Sequence, residues 1–408
     1  MGATLAERAD LEAAEAERRI LSETPYVPRT DDDWETTSPD AAHLDPARLA
    51  ELIDFARSNE SDVDRPADYP ARKAAELREA LGPHADVEMV GPFTPPGGAN
   101  GLIVRHGRVV AQFGDTTFVD EIASATKSFL STLVGIAISR GSIAGVHASV
   151  YDGTGLAELA SSRHRAITWH HLLQQTSEWE GTLFGKPSYG HAGARYGEPL
   201  RPPGEWFEYN DVRVNLLSRA LLEVFRRPLP DVLRELVLDP IDASRTWQWH
   251  GYSTSRVSID GRTIESVSGG AHWGGGLWMN SRDLARYGLL YLRNGEWGGA
   301  RILPPDWIRA TRVSSSRNFM YGYLWWLQHD AEGRQVSSAA QGGGSHHVFV
   351  VPEHDLVAVV RWLRDEAWPG FLERLLTLAT DRPPLGPPHY DFARVNQDAD
   401  TDAGAADD

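Results

Sequence analysis

The stretch from Ser124 to Arg140 limits this chain more than any other. Phe129, Leu130, Leu133, Val134, Ile136 and Ile138 cover almost the whole circumference of a helix that stops at Gly141. A helix with no polar face must be enclosed by other elements. The fold therefore needs a large body around this segment. A chain of 408 residues, 41% of them hydrophobic, can supply one, and its length suggests two or three domain-sized units.

The surrounding pattern mixes strands and helices. Asp45 to Ser58 reads as an amphipathic helix, with Leu49, Leu52, Ile53 and Phe55 at helical spacing. Gly101 to Phe113 holds two β-rich runs around His106-Gly107, a hairpin signal. From about 150 to 255 helix and loop dominate. Val267 to Met279 is a Gly-rich strand region, and Ser281 to Leu292 is an amphipathic helix. Tyr323–Gln328, His346–Val351 and Leu356–Trp362 read as strands, and Phe371–Thr380 as a closing helix. The expected fold class is α/β (α+β): an antiparallel sheet flanked by helices, with an inserted mostly helical region. The expected divisions are a charged N-terminal arm at 1–34 and a sheet domain from 35–150 plus 256–385. A helical region at 151–255 and a flexible Pro-rich, acidic tail at 386–408 complete them.

Charge and composition exclude several functions. The formal net charge is −17, and five acidic residues fall between Asp398 and Asp408. Such a chain repels phosphate backbones, so no nucleic-acid partner is expected. There are no cysteines, which removes thiol nucleophiles, disulfides and Cys-based metal sites. His170-His171 and His346-His347 lack a carboxylate-spaced companion pattern, so no metal or other cofactor is expected. Met1 to Ile20 lacks the apolar core of a secretory signal, and no run reaches the roughly 18 apolar residues of a membrane span. A cytoplasmic protein with no membrane partner is the expectation. The oligomeric state is not legible.

Lysine is rare: Lys73, Lys127 and Lys186 are the only ones among 40 Lys and Arg residues. Each deserves inspection, because arginine is too basic to give up a proton. Ser124-Ala-Thr-Lys127 is the sole Ser-x-x-Lys in the chain. On a helix, positions three apart share a face, so hydroxyl and amine can meet there. A serine hydroxyl becomes a good nucleophile when a neighbour takes its proton, and a lysine in a dry site can be that neighbour. With three lysines, chance yields such a tetrapeptide in roughly one chain in five, so the motif needs its context. Tyr209-Asn210-Asp211 follows a Pro/Gly-rich turn and offers a phenol for proton transfer. Gly342-Gly-Gly-Ser-His346 opens a strand where substrate can approach backbone amides closely. Taken alone, the tyrosine is equally read as a buried side chain with a satisfied hydroxyl, and the glycines as a simple turn.

Taken in order, these segments resemble the β-lactamase-related serine hydrolases. The Ser-x-x-Lys is followed by Ile167-Thr-Trp-His-His-Leu-Leu-Gln-Gln-Thr-Ser177 and by Pro203-Gly-x-x-Phe-x-Tyr-Asn210. Gly274-Gly-Gly-Leu-Trp-Met-Asn-Ser-Arg-Asp-Leu-Ala-Arg-Tyr-Gly288 and the Gly-rich strand before Val350-Val-Pro-Glu353 continue the series. The resemblance covers about residues 40 to 380. It implies a sheet domain beside a helical one, with the site at their junction. It implies Ser124 as acylated nucleophile, Lys127 as its proton partner and Tyr209 as second general base. The Ser124 amide and one from Gly343, Gly344, Ser345 or His346 are implied as the oxyanion hole. Asn210, Asp211, Trp273 and Gly275 are further candidates for substrate binding.

Three departures stand out. Asp211 occupies the third position of a Tyr-x-Asn motif. Glycines and Ser345 replace the Lys-Thr-Gly or His-x-Gly triplet, whose cation holds a substrate carboxylate in lactam-processing members. Gln175-Thr-Ser-Glu178 replaces His-Thr-Ser-Gly. The first two turn the expectation from β-lactams to a small carboxylic ester or linear amide, cleaved through an acyl-enzyme. A β-lactamase or D-Ala-D-Ala peptidase, an acyltransferase using the same acyl-enzyme, and a ligand-binding protein without turnover remain open at this point. Glu178 and Asp211 are candidates for a cationic substrate end, against the plainer reading of solvated loop acids.

Overall fold

The structure, a computed structural model, describes residues 26–29, 34–62, 90–92, 94–188, 199–270 and 276–397. In chain order, α1 (Pro46–Ser58) precedes the hairpin β1 (Asn100–Arg105) and β2 (Arg108–Phe113) and the short β3 (Asp120–Glu121). A 3-10 turn, Ala123–Ala125, leads into α2 (Thr126–Ser139). Then come α3 (Val150–Thr154), α4 (Trp169–Leu173), the small hairpin β4 (Thr182–Leu183) and β5 (Lys186–Pro187), α5 (Asp211–Phe225) and α6 (Leu229–Leu233). The chain returns to strands in β6 (Gln248–Ile259), β7 (Arg262–Val267) and β8 (Gly276–Met279), before α7 (Ser281–Leu292). The pair β9 (Glu296–Trp297) and β10 (Ala300–Arg301), α8 (Pro305–Thr311) and four strands follow: β11 (Trp326–His329), β12 (Gln335–Gly342), β13 (His346–Val351) and β14 (Leu356–Arg361). The last helix is α9 (Trp368–Leu375).

The main sheet is antiparallel, in the order β11-β12-β13-β14-β1-β2. Strand alternation builds two separate cores on its faces. Leu102, Val104, Val348, Val350, Val357 and Val359 point into the larger core, which also holds α2, α5 and α7. Ile103, Phe349, Val351, Leu356, Ala358 and Val360 point the other way, into the cluster formed by α1 and α9. Both faces are covered, which explains why β13 and β14 are buried at every position. A sheet covered on both faces reads as continuous apolar runs rather than alternation. The α7 helix lies across β13 and β14 at Gly288, where a Cβ would come within 2.7 Å of Val357 and 2.8 Å of Val348.

The antiparallel sheet flanked by helices is the expected fold class. The helix expected at 45–58 begins with Asp45 as its cap, accepting from the amides of Ala47 and Arg48. Twelve of the fourteen residues of α2 are buried, as its apolar circumference requires. The strand expected at 323–328 lies at 326–329, and the closing helix at 368–375 rather than 371–380. The long strand β6 begins at Gln248, inside the stretch read as helix and loop.

Residues 386–397, expected as part of a flexible tail, make contacts with the body. His389 N donates to His329 O at 2.7 Å, and Asn396 clasps Phe207 by side-chain bonds to both its amide and its carbonyl. These partners lie far away in sequence, and no local pattern announces them. The rest of that tail, most of the N-terminal arm, Trp273 and Gly275 lie outside the described residues. Among the described residues no helix is long and apolar enough to cross a membrane.

Candidate active site

Ser124 sits in the 3-10 turn just ahead of α2. It is half-buried, whereas Ile122, Ala123 and every residue from Ala125 to Ala137 are buried. The turn is sharp: Ala123 has φ +47°, a left-handed conformation unfavourable for a side-chain-bearing residue. That geometry exposes one hydroxyl at the head of an otherwise enclosed helix. One helical turn on, Lys127 Nζ donates to Ser124 Oγ at 2.6 Å.

Lys127 is itself 1% exposed, and its other neighbours come from the start of α5. Asp211 Oδ1 is 2.6 Å from its Nζ, which also lies 4.8 Å from the centre of the Tyr209 ring. Burial pulls the Lys127 pKa down, and the fields and hydrogen bonds of Asp211 and Tyr209 outweigh it, so the amine is held above its ordinary value of 10.5. Tyr209 is half-buried, stacked on Trp326 with ring centres 5.6 Å apart and edge-on to Tyr321 at 6.1 Å.

Gln175 holds the loop that carries Tyr209. Its backbone is left-handed (φ +56°) and its side chain is buried. Its Oε1 accepts from Asn210 N at 2.6 Å, its Nε2 donates to Tyr321 Oη at 2.8 Å, and its carbonyl accepts from Glu208 N at 3.0 Å. The sequence marked this position only as a departure from a motif. Its bracing role depends on a partner strand of loop 35 residues away.

On the other side of Ser124, the end of β12 closes on its backbone. A Cβ on Gly342 would stand 3.1 Å from the amide nitrogens of both Ser124 and Ala125 and 2.2 Å from Ile122 O. Only glycine permits that approach. The adjacent Gly343 meets open space, with nothing within 4 Å of a Cβ position.

A family model described as Beta-lactamase matches residues 96–375. This chain belongs to the β-lactamase family. The chain is 23% identical over 359 residues to a 6-aminohexanoate-dimer hydrolase of Paenarthrobacter ureafaciens, covering 79% of this chain and 84% of that one. Its fold is similar to that of a protein of Bacteroides dorei DSM 17855 provisionally described as a β-lactamase (TM-score 0.54, 16% identity, 69% of this chain and 93% of that one). It is also similar to one of Bacillus anthracis provisionally described as a 6-aminohexanoate-dimer hydrolase (TM-score 0.51, 16% identity, 85% and 97%).

Within this β-lactamase-family site, the structure brings Ser124, Lys127, Tyr209 and Asp211 together and puts the other candidates to different uses. Asn210 is the cap of α5: its Oδ1 accepts from the amides of Val212 and Arg213 at 3.1 Å, and its Nδ2 donates to Ser188 O and Glu208 Oε1. Ser345 turns to Asp365, donating at 3.0 Å. His346 is buried edge-on against Trp362, and its Nδ1 accepts from Arg361 Nε at 3.1 Å. Burial first, then the Arg361 and His347 charges, hold its pKa well below the ordinary value, so the ring is neutral. Gly343 and Gly344 lie in the turn between β12 and β13, where a Cβ on Gly344 would meet Trp362 and His346.

Glu178 is no solvated loop acid. It is fully buried, with Arg213 Nη1 at 3.3 Å and the amide of Arg201 donating to it at 3.0 Å. It is committed to that pair and is not disposed to hold a cationic substrate end. Among the described residues no group of three or more His, Asp or Glu side chains is disposed to hold a metal ion.

Proposed function

We propose that the protein is a serine hydrolase that cleaves a small carboxylic ester or linear amide through an acyl-enzyme on Ser124. The observation that carries this reading is the 2.6 Å contact between Lys127 Nζ and Ser124 Oγ, made where a half-open turn leads into a buried helix. A nucleophile within hydrogen-bond reach of a proton-handling group, itself oriented by others, is the arrangement acyl transfer needs.

The substrate carbonyl lies between Ser124 and the end of β12, where the amides of Ser124 and Gly343 or its neighbours stabilise the developing oxyanion. Ser124 Oγ bonds to the carbonyl carbon and its proton passes into the Lys127–Tyr209–Asp211 group. Collapse of the intermediate expels the alcohol or amine, which takes a proton from the Tyr209 hydroxyl. Water repeats the sequence on the acyl-enzyme, releasing the acid and freeing Ser124.

Two features favour a linear acyl substrate over a β-lactam. Glycines and Ser345 replace the triplet whose cation would hold a lactam carboxylate. The nearby Arg361 is spent on His346, Met279 O and Glu121 O. The relative named for 6-aminohexanoate-dimer hydrolysis supports an amide within the range.

The test is incubation with para-nitrophenyl acetate and butyrate, with intact mass recorded within seconds and Ser124→Ala alongside. A burst of nitrophenol with one acyl group added to the wild type alone is expected. A folded protein that gives neither burst nor adduct sinks the reading and leaves a ligand-binding member of the family. Turnover of a chromogenic cephalosporin far above that of the ester would move the substrate class to β-lactams.

A further inference from the structure

Asp211 is where this chain departs from the family motif, and it is also the acid that touches the lysine. It is the first residue of a 15-residue helix, whose amino end stabilises a carboxylate. Its Oδ1 lies 2.6 Å from Lys127 Nζ, with the two side chains 9% and 2% exposed. An ammonium group has three N–H donors and no acceptor. Two oxygens, Ser124 Oγ and Asp211 Oδ1, each stand 2.6 Å from Lys127 Nζ. A carboxylate cannot donate in return, as an asparagine amide can, so Lys127 must spend a proton on Asp211. Held as an ammonium ion beside that carboxylate, the nitrogen has no lone pair for the serine proton until it gives up one of its own.

We propose that Asp211 holds Lys127 as an ammonium ion at rest and receives, through it, the proton that Ser124 loses during acylation. This rests on the acyl-enzyme reading and assigns its proton acceptor. As Ser124 Oγ bonds to the substrate carbon, its O–H proton moves to Lys127 Nζ while Lys127 releases another to Asp211 Oδ1. Lys127 is an ammonium before and after, and Asp211 becomes a carboxylic acid. When the leaving group departs, Tyr209 gives it the phenolic proton. Lys127 resupplies Tyr209, and Asp211 resupplies Lys127. No proton is gained or lost over the cycle, and Asp211 acts as a positioning and proton-holding residue rather than one that meets substrate.

Other charged and titratable groups also face Asp211. Tyr209 comes from the preceding loop, Lys186 from β5, Tyr252 from β6 and Tyr321 from the segment before β11. Burial keeps Tyr252 and Tyr321 as phenols, and it depresses Lys186 to about 5, which leaves that amine neutral near pH 7. Lys127 is the cation that stands directly against the carboxylate, 2.6 Å from Oδ1.

The test is the pH dependence of kcat/KM for para-nitrophenyl butyrate, from about pH 4 to about pH 10, for wild type, Asp211→Asn and Asp211→Glu. The wild-type acid limb is expected well below neutrality, because a carboxylate accepts the proton. Asparagine cannot accept it, so Lys127 itself must be neutral to act. The Asp211→Asn limb should therefore move up by at least about one pH unit, with activity near pH 7 down at least about tenfold. Asp211→Glu should restore the low limb in part. An unmoved limb in a folded Asp211→Asn, with activity within about threefold of wild type, overturns the inference. So does a wild-type limb above neutrality, which needs no variant at all. An acyl adduct on the wild type together with either of those results defeats this inference alone, while no adduct on the wild type defeats the acyl-enzyme reading with it.

Discussion

Lys127 and Lys186 are both buried amines within the field of the same carboxylate, and the structure drives them in opposite directions. Burial is the largest influence on each and disfavours the charged form. Lys127 touches Asp211 and Tyr209, and those contacts reverse the effect. Lys186, in the hairpin β4–β5, has its ammonium carbon chain sealed in and its Nζ over the face of Tyr252. Asp211 reaches it only as a weaker opposing field, and its pKa falls to about 5. The lesson is that a dry site alone makes a neutral amine, and a contacting carboxylate decides whether a lysine stays charged. One region is built as a close ion pair, the other as a buried amine set over an aromatic face.

The largest expected effect separates the two by sign. Lys127→Met leaves Asp211 buried without its ammonium partner, and breaking a buried pair in this way costs about 3–5 kcal/mol. The variant should melt well below wild type and form no acyl adduct with an activated ester. The same substitution at Lys186 removes an amine that must shed its proton to fold, so it should melt at or above wild type. Calorimetry on both near neutral pH checks the pair. Two variants destabilised alike would break the distinction.

A second effect, smaller at any one pH, lies in the slope of stability against pH. Lys186 has a folded value of about 5 against an ordinary 10.5, so between these the unfolded chain binds the extra proton. Stability therefore rises with pH across that window and is lost as pH falls toward 5. Lys127 is raised, so its contribution is complete below 10.5 and is lost only at higher pH. Melting temperatures measured between about pH 6 and about pH 9 should climb less steeply in Lys186→Met than in wild type. Equal slopes would mean that Lys186 keeps its proton in the folded state.

Much of this was legible in the sequence, for physical reasons that also mark where legibility stops. The α2 helix announced itself because an apolar circumference has one solution. The β1–β2 hairpin did so because His106-Gly107 supplies the left-handed turn that the strands need, with both residues at positive φ. Ser124 and Lys127 were paired by helical spacing alone. Asp211 was visible as a substitution, but its contact with Lys127 depends on how α5 packs against α2. Gln175, Glu178 and Lys186 were hidden for the same reason: their partners come from other elements. The strand β12 was seen only at its glycine end, because its Ser and Ala residues carry little strand signal.

The smallest expected effect confines itself to one of the two regions. Asn396 bonds the amide and carbonyl of Phe207 at 2.6 and 3.0 Å, two residues before Tyr209, and its own amide donates to Arg317 O at 2.7 Å. The docked end of the chain thus braces the loop that presents the phenol to Lys127. Each such bond is worth about 0.5–1.5 kcal/mol net, so Asn396→Ala should lower kcat/KM by roughly three- to tenfold. On the proposed acyl-enzyme reading, in which Tyr209 passes a proton, the loss should fall in kcat more than in KM. The pH slope of stability attributed to Lys186 should be unchanged in this variant, since Lys186 lies on a different hairpin. A loss confined to KM would place Asn396 with substrate binding, and a changed slope would show that the two lysine environments are mechanically joined through Asn210, whose side chain reaches Ser188 just beyond Lys186.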